Sequence, residues 1–395
     1  MPTRVVTGNY AAAWAAMVSK VQVVAAYPIT PQTFIVEHIS EFVNDGIMDA
    51  QFIEVESEHT AMSATVSASA AGARAFTATS SQGLALMHEI LFCASGLRVP
   101  IVMAVVNRTL SAPLNIWCEH SDIMPERDSG WLIVFCESNQ EVHDMVIQGF
   151  KIAEDERVQL PVAVNLDAFI LSHSVEPVDL AEEKPVDEFL GGKYVPKSSV
   201  LDPNKPMAIG HAAPPDYMQE SRWLLHDAAE KSRKVILEVN KEFAKKFGRD
   251  YKGLIEEYRT EDAEVVLMTV GTVTGTARDV VDAYREQGKK VGLVKLRFLR
   301  PYPTEELKKV VLKVKAFGVY DRAVSFGVSG PQYIEAKSAL YGMTVPMVNF
   351  IAGLGGRDVT TKDVSKMFDA LLDVAKTGKA KKNVVWLNTR GVNEW

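Results

Sequence analysis

The chain has 395 residues, 47% of them hydrophobic and 24% charged, with 43 basic and 50 acidic side chains for a net charge of −7. That length suits two cores, the composition suits well-packed α/β structure with little disorder, and the acidic balance excludes a nucleic-acid-binding role. With no run of roughly 18 uninterrupted apolar residues and no signal-peptide layout over residues 1–7, a cytoplasmic protein without a membrane partner is expected.

Residues 21–29 form a short β-branched run ending in Pro28-Ile29-Thr30-Pro31, which predicts a buried strand, because neither helix nor ladder continues through those prolines. A helix over 34–45, a strand over 51–55, a helix over 57–72, a strand over 74–79, a helix over 83–95 and a strand over 100–106 follow. Strand 132–136, helix 140–156 and strand 161–166 close the series. Strands alternating with helices imply parallel βαβ units, whose ligands gather beyond the carboxyl ends of the strands. Residues 27–30, Glu58, residues 79–83 and Asn107-Arg108 all fall at such ends. Four strand ends delivering Thr, Glu, Ser/Gln/Gly and Arg to one edge define a candidate site.

Glu58 is the most informative of these residues. It stands where a strand gives way to residues 61–72, a helix of almost purely small residues with too little bulk to keep neighbours away. Its carboxyl is therefore expected to be poorly solvated and able to hold or share a proton near neutrality, as a general acid or cofactor anchor requires. The competing reading is a first-turn acid favoured by the helix dipole.

Between about 175 and 257 the periodicity weakens, leaving a connecting arm with an amphipathic helix around 215–251. A second α/β unit follows: strand 265–270, glycine turn 271–275, helix 277–287, strand 291–296, helix 304–314, strand 317–320, helix 332–341, strand 346–351 and helix 361–376. The expected domains are 1–255, with the arm included from about 175, and 256–395. Gly271-x-x-x-Gly275 follows a strand as a phosphate loop would, but it lacks the P-loop lysine and the dinucleotide spacing, so a plain turn is expected there and at 352–358. Cys93, Cys118 and Cys136 offer neither a disulfide framework nor a four-thiolate cluster site, so any iron–sulfur cluster has to come from another chain.

Residues 26–31 (Ala-Tyr-Pro-Ile-Thr-Pro), Glu56-Ser57-Glu58-His59, residues 76–84 and Asn115-Ile116-Trp117 together resemble the α subunit of the 2-oxoacid:ferredoxin oxidoreductases. The likeness covers roughly residues 7–175, and the chain from about 260 resembles the same family's second domain. What it implies is an α/β protein in which a parallel-sheet domain binding the pyrimidine of thiamine diphosphate precedes a smaller transketolase-C-like α/β domain. The implied activity is oxidative decarboxylation of a small 2-oxoacid, with electrons passing through iron–sulfur clusters to ferredoxin. By resemblance, Glu58 is the catalytic carboxyl that bonds the aminopyrimidine and favours the imino tautomer. Tyr27, Pro28, Ile29, Thr30, Ser81, Gln82 and Gly83 complete the cofactor side. Thr30, Arg108 and Asn115 are implied to face the substrate, Arg108 through its carboxylate.

The family holds Mg²⁺ and the diphosphate with a Gly-Asp-Gly motif plus an Asn, and this chain contains no Gly-Asp-Gly. The resemblance therefore implies half an active site with no metal ligand of its own. Thiamine diphosphate would be shared with a β subunit, and Mg²⁺ and four-iron clusters would be held by β and γ/δ partners. At 115–122 the chain departs from the pattern of the pyruvate enzymes, with His120 in place of a neutral amide. An imidazole can be cationic near neutral pH, and a substrate with two carboxylates gains from a second cation beside Arg108. On that reading oxalate, oxidised to CO₂ without CoA, is the expected substrate. Pyruvate oxidation to acetyl-CoA and a non-oxidative thiamine-dependent decarboxylase are the alternatives.

Overall fold

A computed structural model describes residues 3–197 and 200–391. β1 (Thr3–Thr7) runs into α1 (Gly8–Val18), whose first turn is capped by the Thr7 hydroxyl accepting from the Tyr10 N–H. Then come β2 (Val23–Ala26), α2 (Thr33–Asn44), β3 (Gln51–Glu54), α3 (Glu58–Ala70), β4 (Ala75–Thr79), α4 (Ser81–Gly96) and β5 (Ile101–Asn107). β6 (Leu132–Phe135), α5 (Asn139–Ala153) and β7 (Val162–Asp167) complete the unit, and β8 (Val175–Asp179) returns to pair antiparallel with β1. The arm holds α6 (Glu183–Leu190) and the long α7 (Pro215–Phe247). The second unit runs β9 (Ile255–Tyr258), β10 (Val265–Thr269), α8 (Val273–Glu286), β11 (Val291–Leu296), β12 (Phe298–Arg300), α9 (Thr304–Val311), β13 (Ala316–Asp321), α10 (Pro331–Ala339), β14 (Met347–Ile351), α11 (Thr361–Thr377) and β15 (Val384–Trp386).

The first sheet has the order β12-β6-β7-β5-β4-β2-β3 and is parallel except for its edge strand β12. All seven residues of β5, Ile-Val-Met-Ala-Val-Val-Asn, are buried, as a parallel strand covered on both faces requires. From β2 the chain moves outward to β3 and then crosses back to β4 and beyond. The strand order thus reverses between β2 and β4, which is where sheets of this kind offer a ligand crevice at their carboxyl ends. The second sheet, β15-β14-β13-β10-β11-β9, is likewise parallel apart from its edge strand β9.

α3 forms despite having little to bury. Three of its hydroxyls bond back one turn, Ser63 to the His59 carbonyl at 2.9 Å, Thr65 to Ala61 at 2.8 Å and Ser67 to Ser63 at 2.8 Å, while the Ser69 hydroxyl is buried without a partner among the described residues. Several elements escape sequence reasoning for identifiable reasons. α1 is alanine-rich and buried nearly all round, so it lacks the polar stripe that a 3.6-residue period needs. β12 is three residues long and exists because it pairs with β6, more than 160 positions earlier in the chain.

A buried ionic cluster joins the two units. Glu141 on α5 accepts from Arg297 Nε at 2.6 Å and from the Lys295 ammonium, and Arg297 also reaches Glu256 at 2.6 Å. Burial alone would push the Glu141 carboxyl up, but the Lys295 and Arg297 charges win and hold it at about 2. A carboxyl lowered on folding stabilises the fold in full above its ordinary value of 4.5, and that contribution is lost as pH falls toward 2. Denaturant unfolding measured from pH 6 down to pH 2.5 is expected to lose stability through this window, and Glu141→Gln should flatten the pH dependence.

Candidate active site

Three loops meet at the crevice. The first, residues 27–32 after β2, is held from below by side chains: Asn9 Nδ2 donates to the Pro31 carbonyl at 2.8 Å, and Gln32 Nε2 donates to the Ala78 carbonyl at 2.9 Å. Gln32 Oε1 accepts from the Ile29 N–H at 3.2 Å. With the loop pinned by its backbone, Tyr27, Pro28 and Thr30 are left exposed at the rim.

The second loop starts α4. Ser81 has φ +50°, an unusual conformation for a residue with a β-carbon, and its N–H donates to Asp122 Oδ2 at 3.1 Å. Its hydroxyl lies 2.6 Å from Gln82 Oε1. A β-carbon on Gly83 would fall 2.6 Å from Glu58 Oε1 and 2.5 Å from Thr79 Oγ1, so only glycine fits beneath the Glu58 carboxylate. Glu58 itself is the first residue of α3, capped by Ser57, and is 7% exposed. No group among the described residues hydrogen-bonds its carboxylate. Glu58 is therefore a first-turn acid that is also nearly buried. Gly83→Ala is expected to displace Glu58 and lower turnover of the assembled complex about 100-fold, measured as kcat, with assembly retained.

The third element is Arg108, one residue past β5 and 6% exposed. Its guanidinium donates to the Thr30 carbonyl and to Gln82 Oε1, the latter at 3.0 Å, which ties the other two loops together. Its Nε is buried without a partner among the described residues. Burial pulls this guanidinium below its ordinary value, with Asp122 and Glu58 opposing. Thr30, Glu58, Gln82, Gly83 and Arg108 thus share one crevice.

Sequence reasoning missed Asp122, and placed Asn107 and Thr79 at strand ends without assigning either a role. Asp122 is 1% exposed and accepts four hydrogen bonds, from the N–H groups of Ser81, Arg108 and Ile123 and from Asn107 Nδ2. Burial pushes its carboxyl up to about 6, with the Arg108, Asn107 and Ser81 donors pulling the other way. Nothing in the spacing of Asp122 announces this role, because its partners come from two other strand ends.

Two further expected substrate residues are engaged by the protein itself. Asn115 uses its polar atoms structurally: its Oδ1 accepts from the Trp117 N–H at 2.9 Å and the Thr109 hydroxyl at 3.1 Å, and its Nδ2 donates to the Gly355 carbonyl at 3.1 Å. The expectation that His120 lines the substrate pocket is corrected outright. His120 is 1% exposed, with Nε2 2.8 Å from Asp167 Oδ1 and its backbone N–H donating to the Arg322 carbonyl. Asp167 also accepts from Arg322 Nη1 at 2.9 Å and from the Thr272 N–H at 3.0 Å. Any charge on the imidazole is matched there, at the junction of the two units.

The same junction accounts for the glycine turns. Gly271 and Thr272 open α8 onto the Asp167 carboxylate, so the chain's own anion takes the place a phosphate would need. At 355–356 the glycine N–H groups donate to Glu119 and to the Cys118 carbonyl. Cys118, His120 and Asp167 place metal-type donor atoms within 4.8 Å of one another, but Arg322 Nη1 sits 3.0 Å from Cys118 Sγ and supplies the cation. Burial pushes the Cys118 thiol up.

At the switch point of this doubly wound parallel sheet stand a nearly buried glutamate, a glycine beneath it and a buried arginine, in the place where sheets of this class bind ligands. Comparison with known proteins makes the class specific. Residues 14–241 match the thiamine-diphosphate-binding domain of pyruvate flavodoxin/ferredoxin oxidoreductases, and residues 263–364 match core domain II of pyruvate:ferredoxin oxidoreductase. Pyruvate synthase subunit PorA of Pyrococcus abyssi is 50% identical over 393 residues, 99% of each chain. Ketoisovalerate oxidoreductase subunit VorA of Pyrococcus horikoshii is 47% identical over 389 residues, 98% of each chain. A solved 2-oxoglutarate:ferredoxin oxidoreductase from Magnetococcus marinus shares the fold with a TM-score of 0.71 at 20% identity, covering 93% of this chain and 65% of that one. This chain belongs to the 2-oxoacid:ferredoxin oxidoreductase family, as an α subunit. Among the described residues no helix is long and apolar enough to cross a membrane.

Proposed function

We propose that this chain provides the pyrimidine side of a shared thiamine diphosphate site and that, with partner subunits, it oxidatively decarboxylates a small 2-oxoacid bearing one carboxylate. The observation that carries the reading is the Glu58 carboxylate, nearly buried, unbonded and lying over a glycine that leaves room beneath it. When bound, thiamine diphosphate supplies an acidic thiazolium carbon and an electron sink for decarboxylation. Glu58 holds the proton it shares with the ring at its carboxyl. Gly83 keeps the space around that carboxyl clear. Arg108 has two of its five N–H groups engaged by Thr30 and Gln82, which leaves a further N–H on each terminal nitrogen for the substrate carboxylate. Mg²⁺, iron–sulfur clusters and the contact with ferredoxin fall to β and γ/δ partners, because this chain has three cysteines and no Gly-Asp-Gly.

The expectation of oxalate depended on His120 as a second cation, and an imidazole buried against Asp167 cannot meet a second carboxylate. A monocarboxylic 2-oxoacid, with pyruvate as the simplest case, is therefore the class proposed. The test is to assay the purified complex with pyruvate, 2-oxoisovalerate, 2-oxoglutarate and oxalate, with and without CoA, following reduction of an artificial acceptor. The monocarboxylates should lead in kcat/KM by about tenfold or more. Faster turnover of oxalate without CoA would overturn the substrate class, and no turnover of any 2-oxoacid would overturn the function.

A further inference from the structure

Resting on the reading of Arg108 as the substrate carboxylate's partner, we propose that Asp122 is a positioning residue of the substrate site, fixing the Arg108 guanidinium relative to Glu58. Its two oxygens divide the work. Oδ2 accepts from the Arg108 N–H at 2.9 Å and the Ser81 N–H at 3.1 Å, so one atom binds the end of β5 to the first residue of α4. Oδ1 accepts from the Ile123 N–H at 2.8 Å and Asn107 Nδ2 at 3.0 Å, which locks the carboxylate's rotation.

The consequence reaches both sides of the crevice. Arg108 carries the guanidinium, and the residues that follow Ser81 are Gln82, which bonds that guanidinium, and Gly83, which lies against Glu58. The left-handed backbone of Ser81 is held by the same oxygen that holds Arg108. The separation between the cation and the glutamate is thus set through a single buried anion. All four partners are N–H donors, and this gives the anchor a specific chemistry. An amide in its place has only one accepting oxygen and must turn its NH₂ group toward one of the two donor pairs. Asp122 is 1% exposed and its carboxylate is taken up by four protein donors, so its influence passes through the residues it holds.

The test uses the assembled complex with pyruvate as the probe. Asp122→Asn is expected to lower kcat/KM about tenfold, chiefly through a higher KM, and calorimetric titration with pyruvate should show weaker binding by a similar factor. In an Arg108→Ala background the same change should cost less than about twofold, because the group being positioned is gone. Equal losses in both backgrounds, or a lowered melting temperature with unchanged KM, would overturn the proposal. Should Asp122→Asn fail to assemble, Asn107→Ala keeps the carboxylate and its three backbone donors while freeing its rotation. KM is then expected to rise about threefold when Arg108 is present, and an unchanged KM would overturn the proposal. Pyruvate turnover by the parent complex and a large but still measurable drop in kcat/KM in Arg108→Ala test the proposed function separately, so additive losses found alongside both of those results count against Asp122 alone.

Discussion

Glu58→Gln in the assembled complex is expected to lower kcat about a thousandfold while leaving assembly and the melting temperature nearly unchanged. The two side chains have the same shape, and the Ser57 cap of α3 does not involve the carboxylate. Among the described residues no hydrogen bond to the carboxylate is lost, and a first-turn acid contributes only about 0.3–1 kcal/mol to its helix. What disappears is the carboxyl that the proposed function assigns to the cofactor ring, held in a place from which water is mostly excluded. Pre-steady-state turnover and thermal unfolding on the same preparation separate the two effects. Activity within tenfold of the parent would remove Glu58 from the chemistry, and a collapse in stability would make its role architectural.

Asp167→Ala is expected to have the largest effect on stability, roughly 3–5 kcal/mol by denaturant unfolding, because it strands a buried guanidinium. Asp167 is 1% exposed and meets His120, Arg322 and Thr272 at once, joining the end of β7 to the start of α8 and to the strand end at Arg322. Burial pushes its carboxyl up, yet the Arg322 and His120 charges hold it well below the ordinary carboxylate range. Without it, Arg322 keeps only the Cys118 sulfur and the Tyr320 hydroxyl, and neither is an anion at neutral pH. The loop that carries Asp122 is anchored at the same junction through His120, so a rise in KM should accompany the loss of stability. A loss below about 1 kcal/mol would show that the junction is carried by the Glu141 cluster instead.

The parts of the site legible in the sequence are those fixed by strand and helix alternation. Once residues 23–26, 51–54, 75–79 and 101–107 are read as parallel strands, their carboxyl ends must face one edge, and Glu58, Gly83 and Arg108 follow. The loop from 109 to 123 obeys no such period. Its course is set by Gly355, Gly356 and Arg322, more than 200 positions later, and by Asp167. For that reason the sequence puts His120 at the substrate, while Asp122, the common anchor of two other strand ends, carries no signal. Oxalate was inferred from a side chain whose partner could be known only in three dimensions. The turn at 271–275 was read as a plain turn from its missing lysine, and the Asp167 carboxylate seated on it supplies the physical reason.

The most direct measurement is a structure of the assembled complex with thiamine diphosphate bound. A ring nitrogen of the aminopyrimidine is expected within about 2.6–3.0 Å of a Glu58 carboxylate oxygen, with the ring seated over Gly83. A ring bound beyond hydrogen-bond reach of Glu58, or a Glu58 carboxylate turned into bulk water, would contradict the account.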